Sequence, residues 1–200
     1  MKEFFCGTSE ITGARFSIHP MSDRFVDIIL SSLKETDTTK VWMKSDDVST
    51  CVRGRSEHVF DVVKAIYLNA SKGGDHVVLN ATFSNGCPGD SAGDAFMAED
   101  SILMNDELSQ KINQEVATQF ALYPLGFLGY MDVIIDQIKT VDQHGVFSGG
   151  VHYASRLDGD AKKVFAALES AFESARNSDS SHIVMTVTMS ANSPSRKEGQ

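Results

Sequence analysis

A segment of this 200-residue chain recurs farther along it, and this repeat limits the possible folds more than any other feature. Residues 76–88 align with residues 182–194, and five of the thirteen paired positions are identical. Residues 15–21 align in the same way with residues 119–125, at nearly the same spacing. A fixed period with this order of matches predicts that the chain holds two copies of one structural unit.

Each copy shows the same order of predicted elements. Residues 15–19 alternate polar and apolar side chains, which is typical of a strand, whereas Phe25, Ile29 and Leu33 fall on one face of a helix. Residues 41–53 predict a hairpin. A second helix and a final strand complete a β-α-β-β-α-β order. The predicted fold class is therefore α+β: two tandem ferredoxin-like repeats, each an antiparallel sheet of order 4-1-3-2 with its helices on one face.

The repeat also predicts the division of the chain. Residues 1–88 are predicted to form the first ferredoxin-like repeat and residues 117–200 the second. Residues 89–116 belong to neither copy and are predicted to be an ordered connector, with a turn at residues 88–90 and a short helix capped by Asp106.

Composition narrows the class of protein. The formal net charge is −9, which opposes binding to nucleic acid or to an anionic membrane. No apolar stretch reaches the length of a membrane span. Cys6, Cys51 and Cys87 form no paired motif, which favours a reducing compartment. The sequence thus predicts a cytoplasmic protein that neither inserts into a membrane nor binds nucleic acid.

Catalytic and metal-binding patterns are not found in the sequence. The six histidines lack metal-ligand spacing, and no phosphate loop or nucleophile motif occurs. We therefore predict a protein without catalytic residues, metal or cofactor, and not an enzyme.

Candidate ligand-binding residues follow from strand alternation. Each repeat leaves one sheet face uncovered by helices, and hydroxyl and amide groups concentrate on that face. Aromatic and acidic residues on the hairpins add groups for stacking and for charge, although packing and turn formation are ordinary roles for them. The predicted site residues are Ser17, Trp42, Asp47, Ser49, Asn80, Thr82, Tyr123, Phe147, His152, Thr186 and Thr188.

Several short motifs, taken together and in order, resemble the YkoF family of thiamin- and hydroxymethylpyrimidine-binding proteins. The resemblance covers nearly the whole chain and rests on Cys6-Gly-Thr-Ser, Gly86-Cys-Pro-Gly-Asp90, Phe120-Ala-Leu-Tyr-Pro124, Gly150-Val-His-Tyr-Ala-Ser155, Leu157-Asp-Gly-Asp160 and Ser190-Ala-Asn-Ser-Pro-Ser-Arg-Lys197. It implies tandem ferredoxin-like repeats, a homodimer, and a link to uptake or salvage of the thiamin pyrimidine through an ABC-type transporter.

The function expected is non-catalytic binding of thiamin or its hydroxymethylpyrimidine half. A ligand-sensing regulatory module and a small ferredoxin-like enzyme are the alternatives. Two sites are expected, one in each repeat. The first repeat should bind more tightly, because it has more hydrogen-bonding groups, a carboxylate and the better ring for a cation. The alignment of the copies pairs Ser17 with Ala121, Asn80 with Thr186, Asp47 with His152 and Trp42 with Phe147.

Overall fold

A computed structural model describes residues 10–87 and 92–195 of the chain. The predicted turn at residues 88–90 lies outside the described residues, as do Cys6 and Lys197. The elements in chain order are β1 (Thr12–Pro20), α1 (Phe25–Lys34), β2 (Trp42–Ser45), β3 (Thr50–Gly54), α2 (Ser56–Ser71), β4 (Val77–Asn85), α3 (Asp106–Gln110), β5 (Glu115–Leu125), α4 (Tyr130–Gln143), β6 (Phe147–Val151), β7 (Ala154–Asp160), α5 (Ala161–Arg176) and β8 (His182–Ala191).

All eight strands form one antiparallel sheet of order β2-β3-β1-β4-β8-β5-β7-β6. Each half of this sheet has the predicted ferredoxin-like order, which confirms the fold class. The two halves join where β4 pairs with β8, from Val77 opposite Ala191 to Asn85 opposite Ile183. The last strand of each repeat would otherwise leave an unpaired edge, and the junction satisfies both edges at once.

Strand alternation assigns the two faces of the sheet as predicted. Val77, Leu79 and Phe83 of β4 are fully buried on the face that the helices cover, whereas Asn80 and Thr82 are exposed on the other. We call this second face, which carries Asn80 and Thr82 of β4 and Thr186 and Thr188 of β8, the open face.

The apolar core continues from one repeat into the other. Phe60 of α2 stacks on Phe83 of β4 with ring centroids 4.2 Å apart, and Phe172 of α5 lies 5.7 Å from Phe60. Tyr67 of α2 also lies 6.3 Å from Phe165 of α5. Because helices from different repeats share these contacts, the halves pack as one hydrophobic unit.

The part of the connector that the structure describes is hydrogen-bonded to the first repeat. Buried Asn105 donates from its amide nitrogen to Asp61 Oδ2 at 2.9 Å and to the Asp37 carbonyl at 2.9 Å. Asn105, and not the predicted Asp106, is the N-cap residue of α3, and its side chain is engaged with these partners rather than with the helix. Strand β5 begins at Glu115, inside the range predicted as connector. The predicted division into residues 1–88, 89–116 and 117–200 remains a proposal.

Candidate functional site

Six of the predicted site residues line one shallow cleft of about 290 Å³ on the open face. This polar cleft lies over β1, β4 and β8, and therefore spans the junction between the repeats. The six residues are Ser17, Ser49, Asn80, Thr82, Thr186 and Thr188.

Strand register brings these groups together. Asn80 faces Ser17 on one side and Thr188 on the other, and the Thr188 hydroxyl donates to Asn80 Oδ1 at 3.1 Å. Thr82 pairs with Thr186 in the adjacent position. Strands β4 and β8 are the equivalent last strands of the two repeats, and they pair antiparallel. An approximate two-fold axis therefore passes between the four side chains that they contribute to the cleft. The cleft offers hydroxyl and amide groups to a ligand.

Arg15 also lines the polar cleft, although it was not among the predicted site residues. Its guanidinium donates to Asp46 Oδ2 at 3.0 Å and to Ser49 Oγ at 2.9 Å. Hydrogen bonds from the Ser49 and Val48 amides, and then from Arg15, lower the pKa of Asp46 to about 2. Asp46 thus stabilises the turn and also binds the cationic side chain of Arg15.

The predicted equivalence of Trp42 and Phe147 is wrong. Trp42 pairs with Arg53 on edge strand β2 and is half-buried, whereas Phe147 pairs with Leu157 and packs against the helix-side core. A β-bulge between Phe147 and Gly149 shifts the register of β6, and a one-residue shift turns a side chain to the other face. Phe147 therefore does not lie on the open face.

Asp47 and His152 lie at equivalent tips of the two hairpins, as predicted, and both are exposed. Neither lines the polar cleft, nor does Tyr123. Tyr123 lines a different and larger cavity, which the choice of open-face residues did not predict.

This larger cavity, which we call the aromatic cavity, has a volume of about 610 Å³ and lies wholly in the second repeat. It opens between the end of β5, the start of α4 and the β6–β7 hairpin. Its lining is mainly apolar and includes three tyrosines: Phe120, Ala121, Leu122, Tyr123, Pro124, Leu125, Gly126, Phe127, Tyr130, Ile134, Ile138, Tyr153, Ala154 and Ser155.

An unpaired stretch of β5 backbone borders the aromatic cavity. Pairing between β5 and β7 ends at Phe120 opposite Ser155. Next to the paired part of these strands, the Ala161 amide donates to the Gln114 carbonyl at 2.7 Å. Alternate residues of an antiparallel strand point their backbone groups to the same side, so the even-numbered residues of β5 point theirs towards β7. Leu122 consequently presents an N–H and a C=O, and Pro124 only a C=O, to the cavity side of the strand.

The described lining of the aromatic cavity carries no ionised side chain at neutral pH. Asp, Glu, His, Lys and Cys are all missing from the described residues that line it. Over the described ranges 10–87 and 92–195, groups of three or more metal-ligating side chains are also not found. The helices within those ranges include none with the length and apolar character needed to cross a membrane.

The fold defines a class of proteins in which two ferredoxin-like units share one continuous sheet. A model of the YKOF-related family matches residues 11–90 and 115–196. The chain belongs to this family. It is 49% identical over 195 residues to a protein of Bacillus subtilis (strain 168) named "Putative HMP/thiamine-binding protein YkoF", and the match spans 98% of this chain and 97% of that protein.

Proposed function

We propose that this protein binds thiamin or its hydroxymethylpyrimidine half, and that the aminopyrimidine ring occupies the aromatic cavity. The name of the Bacillus relative supports the class of ligand. The observation that carries the choice of site is the unpaired edge at Leu122, inside a cavity of about 610 Å³. This volume lies within the range typical of small-molecule sites.

The ligand matches the cavity group by group. An aminopyrimidine carries an exocyclic amine beside a ring nitrogen, so it offers a donor and an acceptor side by side. Leu122 offers the complementary C=O and N–H, as a strand edge does when it accepts another strand. The cationic thiazolium half is favoured by the faces of Tyr123 and Tyr130.

The lining also favours binding without turnover. Catalysis of proton transfer or of attack on thiamin needs a positioned acid, base or nucleophile. The side chains around the aromatic cavity offer only tyrosine and serine hydroxyls for such roles. We therefore propose a binding protein that is not an enzyme, with thiamin or hydroxymethylpyrimidine as its ligand and no separate cofactor.

The polar cleft is retained as the proposed second site. It includes Ser17, Asn80 and Thr82 of the first repeat, and its volume of about 290 Å³ is smaller. The substitutions between the copies favoured the first repeat as the tighter site. The larger volume and the aromatic lining of the second-repeat cavity reverse this order in our proposal.

Titration calorimetry with thiamin and with hydroxymethylpyrimidine tests the proposed function. Tyr130→Ala removes a ring that lines the aromatic cavity and should weaken binding roughly two- to tenfold, as expected for loss of an aromatic contact. Met131→Ala is the matched control, because Met131 is half exposed on the same helix and does not line the cavity. Equal affinity in the two variants, or no heat with either ligand, would contradict the proposal.

We also propose that ligand binding supports uptake or salvage of the thiamin precursor, in concert with an ABC-type transporter. The resemblance to the YkoF family supports this role. Uptake of labelled hydroxymethylpyrimidine should fall in cells that lack the protein. Unchanged uptake, with altered activity of a regulatory partner, would favour the sensing alternative instead.

A cytoplasmic homodimer is the proposed working form. The open face carries apolar Val78 and Val184 among its polar groups, and one side of the sheet has no helical cover. A second copy would cover these apolar side chains, which lie on either side of the polar cleft. Sedimentation velocity at micromolar concentration should give the mass of a dimer, and a stable monomer would exclude it.

A further inference from the structure

We propose that the tip of the β6–β7 hairpin closes over the aromatic cavity when ligand binds, and that Tyr153 is the residue that covers and retains the ligand. This inference rests on the proposed function, because it assigns the retention step to the same site. It also predicts that the two hairpins differ in mobility, because an ion pair holds the equivalent hairpin of the first repeat in place.

Tyr153 occupies an unusual position in the structure. It lines the aromatic cavity, yet its side chain is 100% exposed, so one side of the ring has no protein contact. Its φ angle is +68°, a left-handed conformation that is usually occupied by glycine or asparagine in turns. A bulky residue kept in a strained conformation at the mouth of a cavity indicates a functional role for its ring.

The hairpin has the freedom to move. Gly149 has a φ of +114°, and a Cβ added at Gly149 or Gly150 would meet no atom within 4 Å. The bulge between Phe147 and Gly149 interrupts the β6–β7 ladder beside these glycines. In the described structure, residues 148–155 make no side-chain hydrogen bond, so the hydrogen bonds that hold the hairpin tip come from backbone pairing.

The first-repeat hairpin is built differently. Asp46 accepts hydrogen bonds from the Val48 and Ser49 amides, each at 2.9 Å, and its carboxylate also holds Arg15. The register places Val151 where the first repeat has Asp46, and Gln119 takes the place of Arg15. An apolar side chain and a neutral amide form no ion pair, so the second hairpin lacks this restraint.

Closure would serve retention more than recognition. The Leu122 edge and the Tyr130 ring lie on β5 and α4, so a ligand can contact them while the hairpin is open. Closing Tyr153 onto the exposed side of the ligand adds an aromatic contact and excludes water. The closed hairpin therefore lowers the rate of ligand dissociation, and the first repeat, with its restrained hairpin, releases ligand faster.

Hydrogen–deuterium exchange and stopped-flow dissociation test the closure with thiamin as the probe. Saturating thiamin should slow exchange in residues 148–155 and leave residues 45–50 nearly unchanged. Tyr153→Gly removes the ring and relieves the positive-φ strain, and it should raise the dissociation rate roughly two- to tenfold. Val48→Gly, at the equivalent tip of the first hairpin, is the matched control and should leave the rate from the aromatic cavity unchanged.

A second variant tests the freedom of the hairpin without touching Tyr153. The combined change Gln119→Arg, Val151→Asp and Ala154→Ser installs the Arg15–Asp46–Ser49 arrangement in the second repeat, and it should raise the dissociation rate to a similar extent. Thiamin binding with unchanged exchange in residues 148–155 and an unchanged rate in Tyr153→Gly would overturn the closure and leave the proposed function intact. Failure of thiamin to bind at all would overturn both.

Discussion

His182 Nε2 lies 3.0 Å from Ser84 Oγ across the β4–β8 junction, which links the last strand of one repeat to that of the other. The repeat-equivalent contact joins His76 Nε2 to Ser190 Oγ, also at 3.0 Å. These four residues account for two of the identical pairs in the internal repeat. Each copy contributes one histidine and one serine to the junction, so the approximate two-fold axis requires the same residue types in both copies.

Loss of either junction hydroxyl should destabilise the protein to a similar extent. Ser84→Ala and Ser190→Ala each remove one hydrogen bond, and each should lower the free energy of unfolding by about 0.5–1.5 kcal/mol. Denaturant titration measures both values. Ser148→Ala, an exposed strand position, is the control and should change little. A cost in only one of the two junction variants would contradict the symmetric arrangement.

The fold could be predicted from the sequence because it depends on local periodicity. The alternation in residues 76–84 reflects burial within one repeat, and the structure confirms the resulting order of elements. The stripe at Phe25, Ile29 and Leu33 predicted helix α1 but not its buried side, because Phe25 is exposed and Ile28 packs against the core beside Leu33. The junction of β4 with β8 was not predicted. Pairing between two edges leaves no periodic signal, because either strand would show the same alternation against any partner.

The site was predicted only in part, for a geometric reason. Alternation assigned Asn80, Thr82, Thr186 and Thr188 to the open face, where they now line one cleft. The aromatic cavity depends instead on where β7 stops pairing with β5, and the sequence does not specify where a hairpin ends. The bulge at Phe147 is likewise invisible to an alignment of the two copies, which therefore placed Phe147 on the wrong face.

The inter-repeat helix contact should make stability depend on pH through Glu169. Burial between the helices raises the pKa of Glu169 to about 7, although Lys64 opposes the shift, and Glu173, Glu57 and Asp61 add to it. The folded state then binds more protons than the unfolded state above the ordinary pKa of 4.5. The free energy of unfolding should fall as the pH rises from about 4.5 to about 7, by at most about 3 kcal/mol.

Chemical denaturation at a series of pH values measures this dependence. Glu169→Gln keeps the shape of the side chain and removes its charge, so the variant should gain stability at pH 7 and lose most of the slope. Exposed Glu115→Gln is the control. A wild-type slope of opposite sign across this interval would show that Glu169 is not desolvated.

The shared aromatic core should make the two repeats unfold together. Phe172→Ala removes a fully buried ring that contacts Phe60 and Phe83, and it should cost about 3–5 kcal/mol. Calorimetry should still give a single transition at a lower midpoint. Two separate transitions in the wild-type protein would mean that the repeats fold independently.

The restraint on the first hairpin should depend on a single carboxylate. Asp46→Ala should speed hydrogen exchange at the Val48 and Ser49 amides, because both donate to Asp46. Asp47→Ala is the control at the adjacent exposed position. With a pKa of about 2, Asp46 should keep the hairpin protected down to about pH 3. Equal exchange in the two variants would remove Asp46 as the anchor.

The amide of Leu122 gives the most direct test of the proposed site. In a titration of isotope-labelled protein with hydroxymethylpyrimidine, followed by two-dimensional NMR, its amide proton should show the largest downfield shift, because it donates a hydrogen bond only in the complex. Amides of Tyr130 and Tyr153 should shift with it. Largest shifts at Asn80 and Thr188, or a Leu122 amide that stays in place at saturation, would contradict binding of the aminopyrimidine at the β5 edge.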